Sequence, residues 1–218
     1  MQLISINIGQ NQTLLNGARL EATGIFKTSS NQPVQVTALG LQGDFIADAK
    51  NHGGLDQAVY VYGGMDYAWW AAELGRELAP GTFGDNLTIS ELESAGFSIG
   101  DRLHFDGVTL EVTAPRIPCS TLAARMADPK FVKKFRQAER PGLYCRVIQP
   151  GMLQVGEAAR VQKWAGESLT VLEMFRNYYE KDKSEEMVRR QLRAPICIRS
   201  RNDLEIELQT LLHKNSGE

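Results

Sequence analysis

Residues Ala58-Val59-Tyr60-Val61-Tyr62 put β-branched, aromatic or small apolar side chains on both faces of one short run. Successive side chains on a strand point to opposite faces, so this run is too apolar to lie at a sheet edge and must be an interior strand. Other runs of strand character surround it. Ile4, Ile6 and Ile8 share one face of a first strand, and Gln12–Leu15, Arg19–Thr23 and Pro33–Ala38 follow between Gly and Asn turns. Arg102–Phe105 and Val108–Val112 flank Asp106-Gly107, a two-residue hairpin signal of the type I′ kind. Leu143–Ile148 and Ala158–Gln162 complete the series. Many short strands with glycine-rich connections predict a mainly β domain, a barrel or sandwich, with peripheral helices.

Helical patterns interrupt the strands. Asp66–Glu77 offers Trp69, Trp70 and Leu74 to one face, and Ser90-x-x-Glu93 reads as a capping box for a short turn. Asp128-Pro129 reads as an N-cap followed by a helix with Phe131, Val132 and Phe135, which must stop before Pro141-Gly142. After Lys163 the character changes. Thr170-x-x-Glu173 opens a helix with Val171, Leu172 and Phe175, and Asp182-x-x-Glu185 opens one with Met187 and Val188 that ends at Pro195. Ser200 caps a third with Leu204, Leu208, Leu211 and Leu212 as its stripe. The expected organisation is a β domain over 1–163 and a small three-helix domain over 164–218. Three short helices bury little surface alone, so they must pack together and lean on the β domain or on a second subunit, which makes a homodimer a possible state.

The chain has 218 residues and a formal net charge of −2, so no global field draws it to nucleic acid or to a membrane surface. No apolar run approaches the roughly 20 residues that span a bilayer. The N-terminus alternates like a strand and lacks a charged leader. Cysteines 119, 145 and 197 form no C-x-x-C pair and no even disulfide framework, which fits a reducing, cytoplasmic setting.

Thr113-Ala114-Pro115-Arg116-Ile117-Pro118-Cys119-Ser120 is the stretch richest in chemistry. Each proline fixes its own φ and pushes the preceding residue out of the helical region, so Arg116 and Cys119 sit on a stiff, extended arm. A planar cation beside a soft thiol suits an anionic ligand and a metal or electrophile. A free cysteine is ordinarily a small buried hydrophobe, and at this level both readings stand. Gly40-Leu41-Gln42-Gly43-Asp44 and His52-Gly53-Gly54-Leu55-Asp56 bring bare backbone near a titratable ring, either as an anion nest or as plain turns. His52 could then be a base, a ligand or a turn-stabilising donor. Asn86, in Pro80–Leu87, could bond a heterocycle or close an Asx turn. Tyr144 and Arg146 share one face of a strand, with Cys145 on the core side, and Cys197 has no motif. H-E-x-x-H, C-x-x-C, G-x-S-x-G and Walker patterns are absent from the sequence, as are flavin and nicotinamide fingerprints. A metal carried by an organic cofactor and anchored by one thiolate fits better than a multi-histidine site.

The ordered motifs G-L-x-G-D (Gly40–Asp44), H-G-G-x-D-x-A-V (His52–Val59), P-G-x-F-G-D-N-L (Pro80–Leu87), I-G-D (Ile99–Asp101), P-R-x-P-C (Pro115–Cys119) and G-x-Y-x-R-V (Gly142–Val147) resemble the MOSC family. That family is named for the C-terminal domain of molybdenum cofactor sulfurase. The helical tail is similar to the one behind the MOSC barrel in stand-alone bacterial members of the YiiM type. The sequence departs from the family's usual pattern at Asp85, commonly Glu, and at Leu143, frequently Trp. The resemblance implies a MOSC-type β-barrel that binds molybdopterin, with Cys119 as the residue that bonds molybdenum or carries sulfur. It makes Arg116 the candidate for the cofactor's phosphate, with Lys27, Arg146, Gly53, Gly54, Asp85 and Asn86 as further binding candidates. His52 and Asp44, or Asp85, become candidate proton relays. The implied activity is reduction of N-hydroxylated compounds such as hydroxylaminopurine-like bases, with electrons from a separate flavoprotein or iron–sulfur protein. The rival expectation is a sulfur carrier with a persulfide on Cys119.

Overall fold

The computed structural model describes residues 1–48 and 52–216. Its strands are β1 (Leu3–Gly9), β2 (Gln12–Asn16), β3 (Arg19–Thr23), β4 (Lys27–Ser29), β5 (Val34–Thr37), β6 (Gly40–Leu41), β7 (Val59–Gly63), β8 (Leu87–Ile89), β9 (Arg102–His104), β10 (Thr109–Pro115), β11 (Leu143–Gln149), β12 (Gly151–Leu153) and β13 (Arg160–Gln162). The helices are α1 (Gly64–Leu74), α2 (Ser120–Arg125), α3 (Phe131–Ala138), α4 (Val171–Tyr178), α5 (Glu185–Arg193) and α6 (Ile198–Ser216). Helix and strand take comparable shares, so the fold is mixed and sheet-rich rather than mainly β.

The principal sheet runs β13-β9-β10-β11-β7-β8-β1-β4. β7 is buried along its whole length between β11 and a parallel β8, as its two apolar faces require. The sheet curls but does not close into the expected barrel. Leu3 N–H donates to the Glu157 carbonyl at 2.9 Å and Gly156 N–H to Leu3 O at 2.8 Å, bringing the chain before β13 against β1. The edge strands β4 and β13 have three residues each, too few for a continuous seam between them. The β9–β10 hairpin forms, but neither Asp106 nor Gly107 takes the left-handed φ of a type I′ turn. The Asp106 N–H instead donates to the Glu157 carboxylate at 3.2 Å, so a distant partner shapes this turn.

Beside the sheet lies an aromatic cluster. Trp70 on α1 is fully buried, stacks near Phe135 at 6.0 Å and Phe131 at 5.1 Å, and donates Nε1–H to Tyr62 Oη at 2.8 Å. Phe83 meets Tyr62 at 4.7 Å. Offset and tilted rings at these separations satisfy both area burial and ring quadrupoles. Two expected caps shift. Ser90 does not cap a helix: its Oγ accepts from Gln2 N–H at 2.8 Å, while Glu93 is drawn to Arg140 at 2.9 Å. Asp128 does not cap α3 directly; its carboxylate accepts from Lys130 N–H and pairs with Lys134, and the helix starts at Phe131.

The three tail helices form as the periodicity predicts, with different starts. Thr170 caps α4, its Oγ1 accepting from Glu173 N–H at 3.0 Å. Ser184 rather than Asp182 caps α5. α6 begins at Ile198, and Ser200 lies within its first turn. The Ile198 N–H is taken by the carboxylate of Asp56, 142 residues away, at 2.7 Å. The tail also joins the sheet through Cys197 N–H to Thr113 O at 3.1 Å and Val171 N–H to Phe97 O at 2.8 Å. Its Val171, Phe175, Val188 and Ile196 belong to the same buried cluster as the sheet residues. Among the described residues no helix is long and apolar enough to cross a membrane.

Candidate active site

β10 ends at Pro115, and the extended Arg116–Cys119 segment leads to α2, with Cys119 at the helix N-cap in a β conformation (φ −124°, ψ 172°). This stiff arm forms one wall of a cavity of about 790 Å³. Arg116 is 5% exposed. Its guanidinium lies 5.0 Å from the Tyr60 ring centroid and donates to Tyr144 Oη at 3.4 Å, while its buried Nε has no hydrogen-bond partner among the described residues. Among the described residues no carboxylate comes within ion-pairing distance of it. Its surroundings are a ring face, a neutral phenol and the nearby Cys119 sulfur, which leaves guanidinium donors free for a further anion in the cavity.

His52 reaches the same place from the segment before β7. Its Nδ1 lies 3.1 Å from Tyr144 Oη, and its ring is close enough to act on the Cys119 thiol. Burial opposes ionisation of that thiol. The His52 ring, the charge of Arg116 and the Leu122 N–H overcome it and lower the pKa to about 6. Cys119 is therefore mostly thiolate at neutral pH, whereas burial drives the Cys145 thiol strongly upward and leaves it inert. Cys197 also lines the cavity, with its thiol donating to Ser200 Oγ at 3.2 Å.

Lys27 and Asp44 both line the cavity, but they neutralise one another. Lys27 Nζ donates to both Asp44 oxygens at 2.6 and 2.7 Å, and Gly9 N–H supplies a further bond at 2.7 Å. Burial lowers the Lys27 pKa despite this partner. Asn86 Nδ2 donates to Asp44 at 2.8 Å and its Oδ1 accepts from Tyr60 N–H at 3.0 Å, so its carboxamide pins β7 to the Lys27–Asp44 pair and makes no Asx turn. Asp85 lies outside the cavity lining: it is fully buried and accepts from Tyr67 Oη at 2.6 Å and Thr88 Oγ1 at 2.7 Å. Burial raises its carboxyl pKa.

Gly53 and Gly54 do not line the cavity. Gly54, at φ 85°, turns the chain into the short 3₁₀ segment Leu55–Gln57 and thereby presents His52. Arg146 is also elsewhere. It pairs with Asp56 at 3.3 Å and donates to the Pro195 and Ile196 carbonyls, tying the helical tail to β11. Of the candidate residues, the fold thus gathers Cys119, Arg116, His52, Lys27, Asp44 and Asn86 around one cavity. What sequence reasoning missed is the contribution of the tail, where Asn177, Tyr178, Gln191, Arg199, Asp203 and Glu207 line the same cavity. A signal existed on α6: Arg199, Asp203 and Glu207 recur at helical spacing beside the apolar Leu204.

The sequence profile of the MOSC domain matches residues 48–160, just over half of the chain. The chain belongs to the MOSC family. It is 37% identical over 155 residues to YflK of Bacillus subtilis (strain 168), covering 71% of this chain and 70% of that protein. It is 33% identical over 139 residues to a reductase of Gibberella moniliformis, covering 62% of this chain but only 25% of that longer protein. The crystal structure of YiiM from Geobacillus stearothermophilus superposes with a TM-score of 0.78 at 25% identity, covering 95% of this chain and 98% of its own. The family is associated with molybdenum-cofactor binding, and the whole MOSC match lies within the part of the chain that carries His52, Arg116 and Cys119.

Proposed function

We propose that the cavity binds the molybdenum cofactor and that the protein is an oxidoreductase that reduces N-hydroxylated compounds, including hydroxylaminopurine-like bases. The observation that carries this reading is the buried Arg116, which among the described residues pairs with no carboxylate, beside a thiol whose pKa is lowered to about 6. The residues fit the group. A phosphate-bearing cofactor gives the unpaired Arg116 donors a hydrogen-bonding anion, and a soft thiolate is the ligand that molybdenum favours. Among the described residues no cluster of three His, Cys, Asp or Glu could hold a metal alone, so a metal here would bring its other ligands with it. Cys119 would hold the metal and Arg116 the phosphate, with Tyr60 and Tyr144 fixing the guanidinium plane. Lys27 is less suited to the phosphate, because Asp44 already neutralises it.

When bound, the molybdenum cofactor supplies a two-electron redox centre with affinity for oxygen. The net reaction takes R–NHOH, two electrons and two protons to R–NH₂ and water. His52, 3.1 Å from Tyr144 Oη and acting on the Cys119 thiol, would deliver one of those protons within the cavity. The electrons come from a separate flavoprotein or iron–sulfur protein, because the chain carries no flavin or nicotinamide motif of its own. The test is molybdenum content and pterin fluorescence of freshly purified protein, with expression in a host unable to make molybdopterin as the control. Reductase activity retained in that host would overturn the reading. The same thiolate favours one alternative, a sulfur carrier, which predicts a persulfide mass on Cys119 and no molybdenum.

A further inference from the structure

The cavity wall contributed by the tail carries a polar group that the fold itself leaves unanswered. Gln191 on α5 is 3% exposed and lines the cavity, and among the described residues its Nε2 has no hydrogen-bond partner. A buried amide donor without an acceptor destabilises the folded chain, so its retention inside a ligand-sized cavity calls for an acceptor that arrives with the ligand. The Asn177 carboxamide on α4 lines the same wall and is 8% exposed. The wall is thus polar and neutral at these two positions, and distinct from the thiolate and guanidinium contributed by the MOSC segment. Carboxamides read planar heterocycles by pairing with an adjacent ring nitrogen and exocyclic amine, as they do with adenine edges.

We propose that Gln191 is the specificity-determining residue of the cavity, donating a hydrogen bond to a ring-nitrogen or carbonyl acceptor of a planar heterocyclic substrate. This rests on the reading that the cavity is the reductase site. The MOSC segment supplies the reacting groups, and the tail selects what is presented to them. Gln191 acts on recognition and not on the N–O bond, so a substrate without a ring acceptor does not sense it.

The experiment compares wild type with Gln191→Met, which keeps the unbranched shape and removes both polar atoms, and with Gln191→Glu, which removes the donors. Calorimetric titration with hydroxylaminopurine measures binding. Kinetics with reduced methyl viologen as donor compare hydroxylaminopurine with N-phenylhydroxylamine, which has no ring acceptor. In Gln191→Met, hydroxylaminopurine affinity and kcat/KM fall about tenfold while kcat/KM for N-phenylhydroxylamine is unchanged. Its melting temperature stays equal or rises, because the unanswered donor is gone. Equal losses on both substrates, no loss on either, absence of purine binding by wild type, or a lowered melting temperature in both variants would each overturn the proposal. If wild type reduces neither compound yet binds the purine in a Gln191-dependent way, the reductase reading falls and the selectivity assignment stands.

Discussion

His52→Ala tests the electrostatics at Cys119 most directly, because the outcome changes sign with pH. With its pKa lowered to about 6, Cys119 is about one-quarter thiolate at pH 5.5 and about nine-tenths at pH 7. Removing His52 takes away its favourable influence on the thiolate, leaving burial opposed by Arg116 and the Leu122 N–H. A return toward an ordinary value of about 8.5 would leave about 0.1% thiolate at pH 5.5 and about 3% at pH 7. Intrinsic nucleophilicity rises as thiol pKa rises, by roughly tenfold over this span. The two effects compete. At pH 5.5 the lost thiolate wins, and alkylation by iodoacetamide slows about 20-fold. Near pH 7.4 they cancel, and above pH 9 the variant reacts about tenfold faster. The assay is the pH–rate profile, with Cys119→Ser establishing which signal belongs to this thiol; Cys145 and Cys197 are 0% and 1% exposed. A wild-type midpoint near 8.5, or a variant profile that never crosses the wild-type one, would refute the assignment of His52.

Three further outcomes follow from the same geometry. Cys119 is an acid whose pKa is lower in the folded chain than in the unfolded one, so its stabilising contribution is full above about pH 8.5 and disappears as pH falls through 6. Cys119→Ser should therefore remove the part of the stability rise between pH 6 and 8.5 that urea titrations record in wild type. Arg140→Met strands the buried Asp66 carboxylate, which Arg140 meets at 2.9 Å, and should cost about 3 kcal/mol by chemical denaturation. Asp56→Ala removes the cap of α6 and the partner of Arg146, and should cost about 1 to 2 kcal/mol in the same assay.

Strand positions were largely legible because their signal is local. Side chains alternate on Ile4, Ile6 and Ile8, and β7 carries apolar groups on both faces; sheet pairing then follows from burial. Helix starts were legible only where the cap is a neighbour, as at Thr170. At α6 the cap is Asp56, and no window of sequence around Ser200 could name it. The type I′ expectation at Asp106-Gly107 failed for the same reason, since Glu157 holds that turn. In the candidate site, proline stereochemistry made legible only that Arg116 and Cys119 share a stiff arm, and the family resemblance singled them out for chemistry. The neutralisation of Lys27 by Asp44 was not legible, because it joins the start of β4 to a loop 17 residues on, around a carboxamide from the segment before β8.

Arg146 illustrates why a residue in a family motif need not touch the ligand to matter to it. Its guanidinium holds Asp56 on one side and the Pro195 and Ile196 carbonyls on another, while Asp56 caps α6 and its carbonyl accepts from Thr113 Oγ1 on β10. Asp56 lies four residues after His52 and three before β7. One charged pair therefore fixes the loop that presents His52, the strand that leads to Cys119 and the first turn of the helix that lines the far part of the cavity. The tail brings Asn177 and Gln191 to the cavity wall, yet its placement is set by bonds from the MOSC segment. Loss of the Asp56–Arg146 pair should accordingly disturb thiol acidity and ligand selection together, whereas Gln191→Met should disturb selection and leave the Cys119 pH profile unmoved.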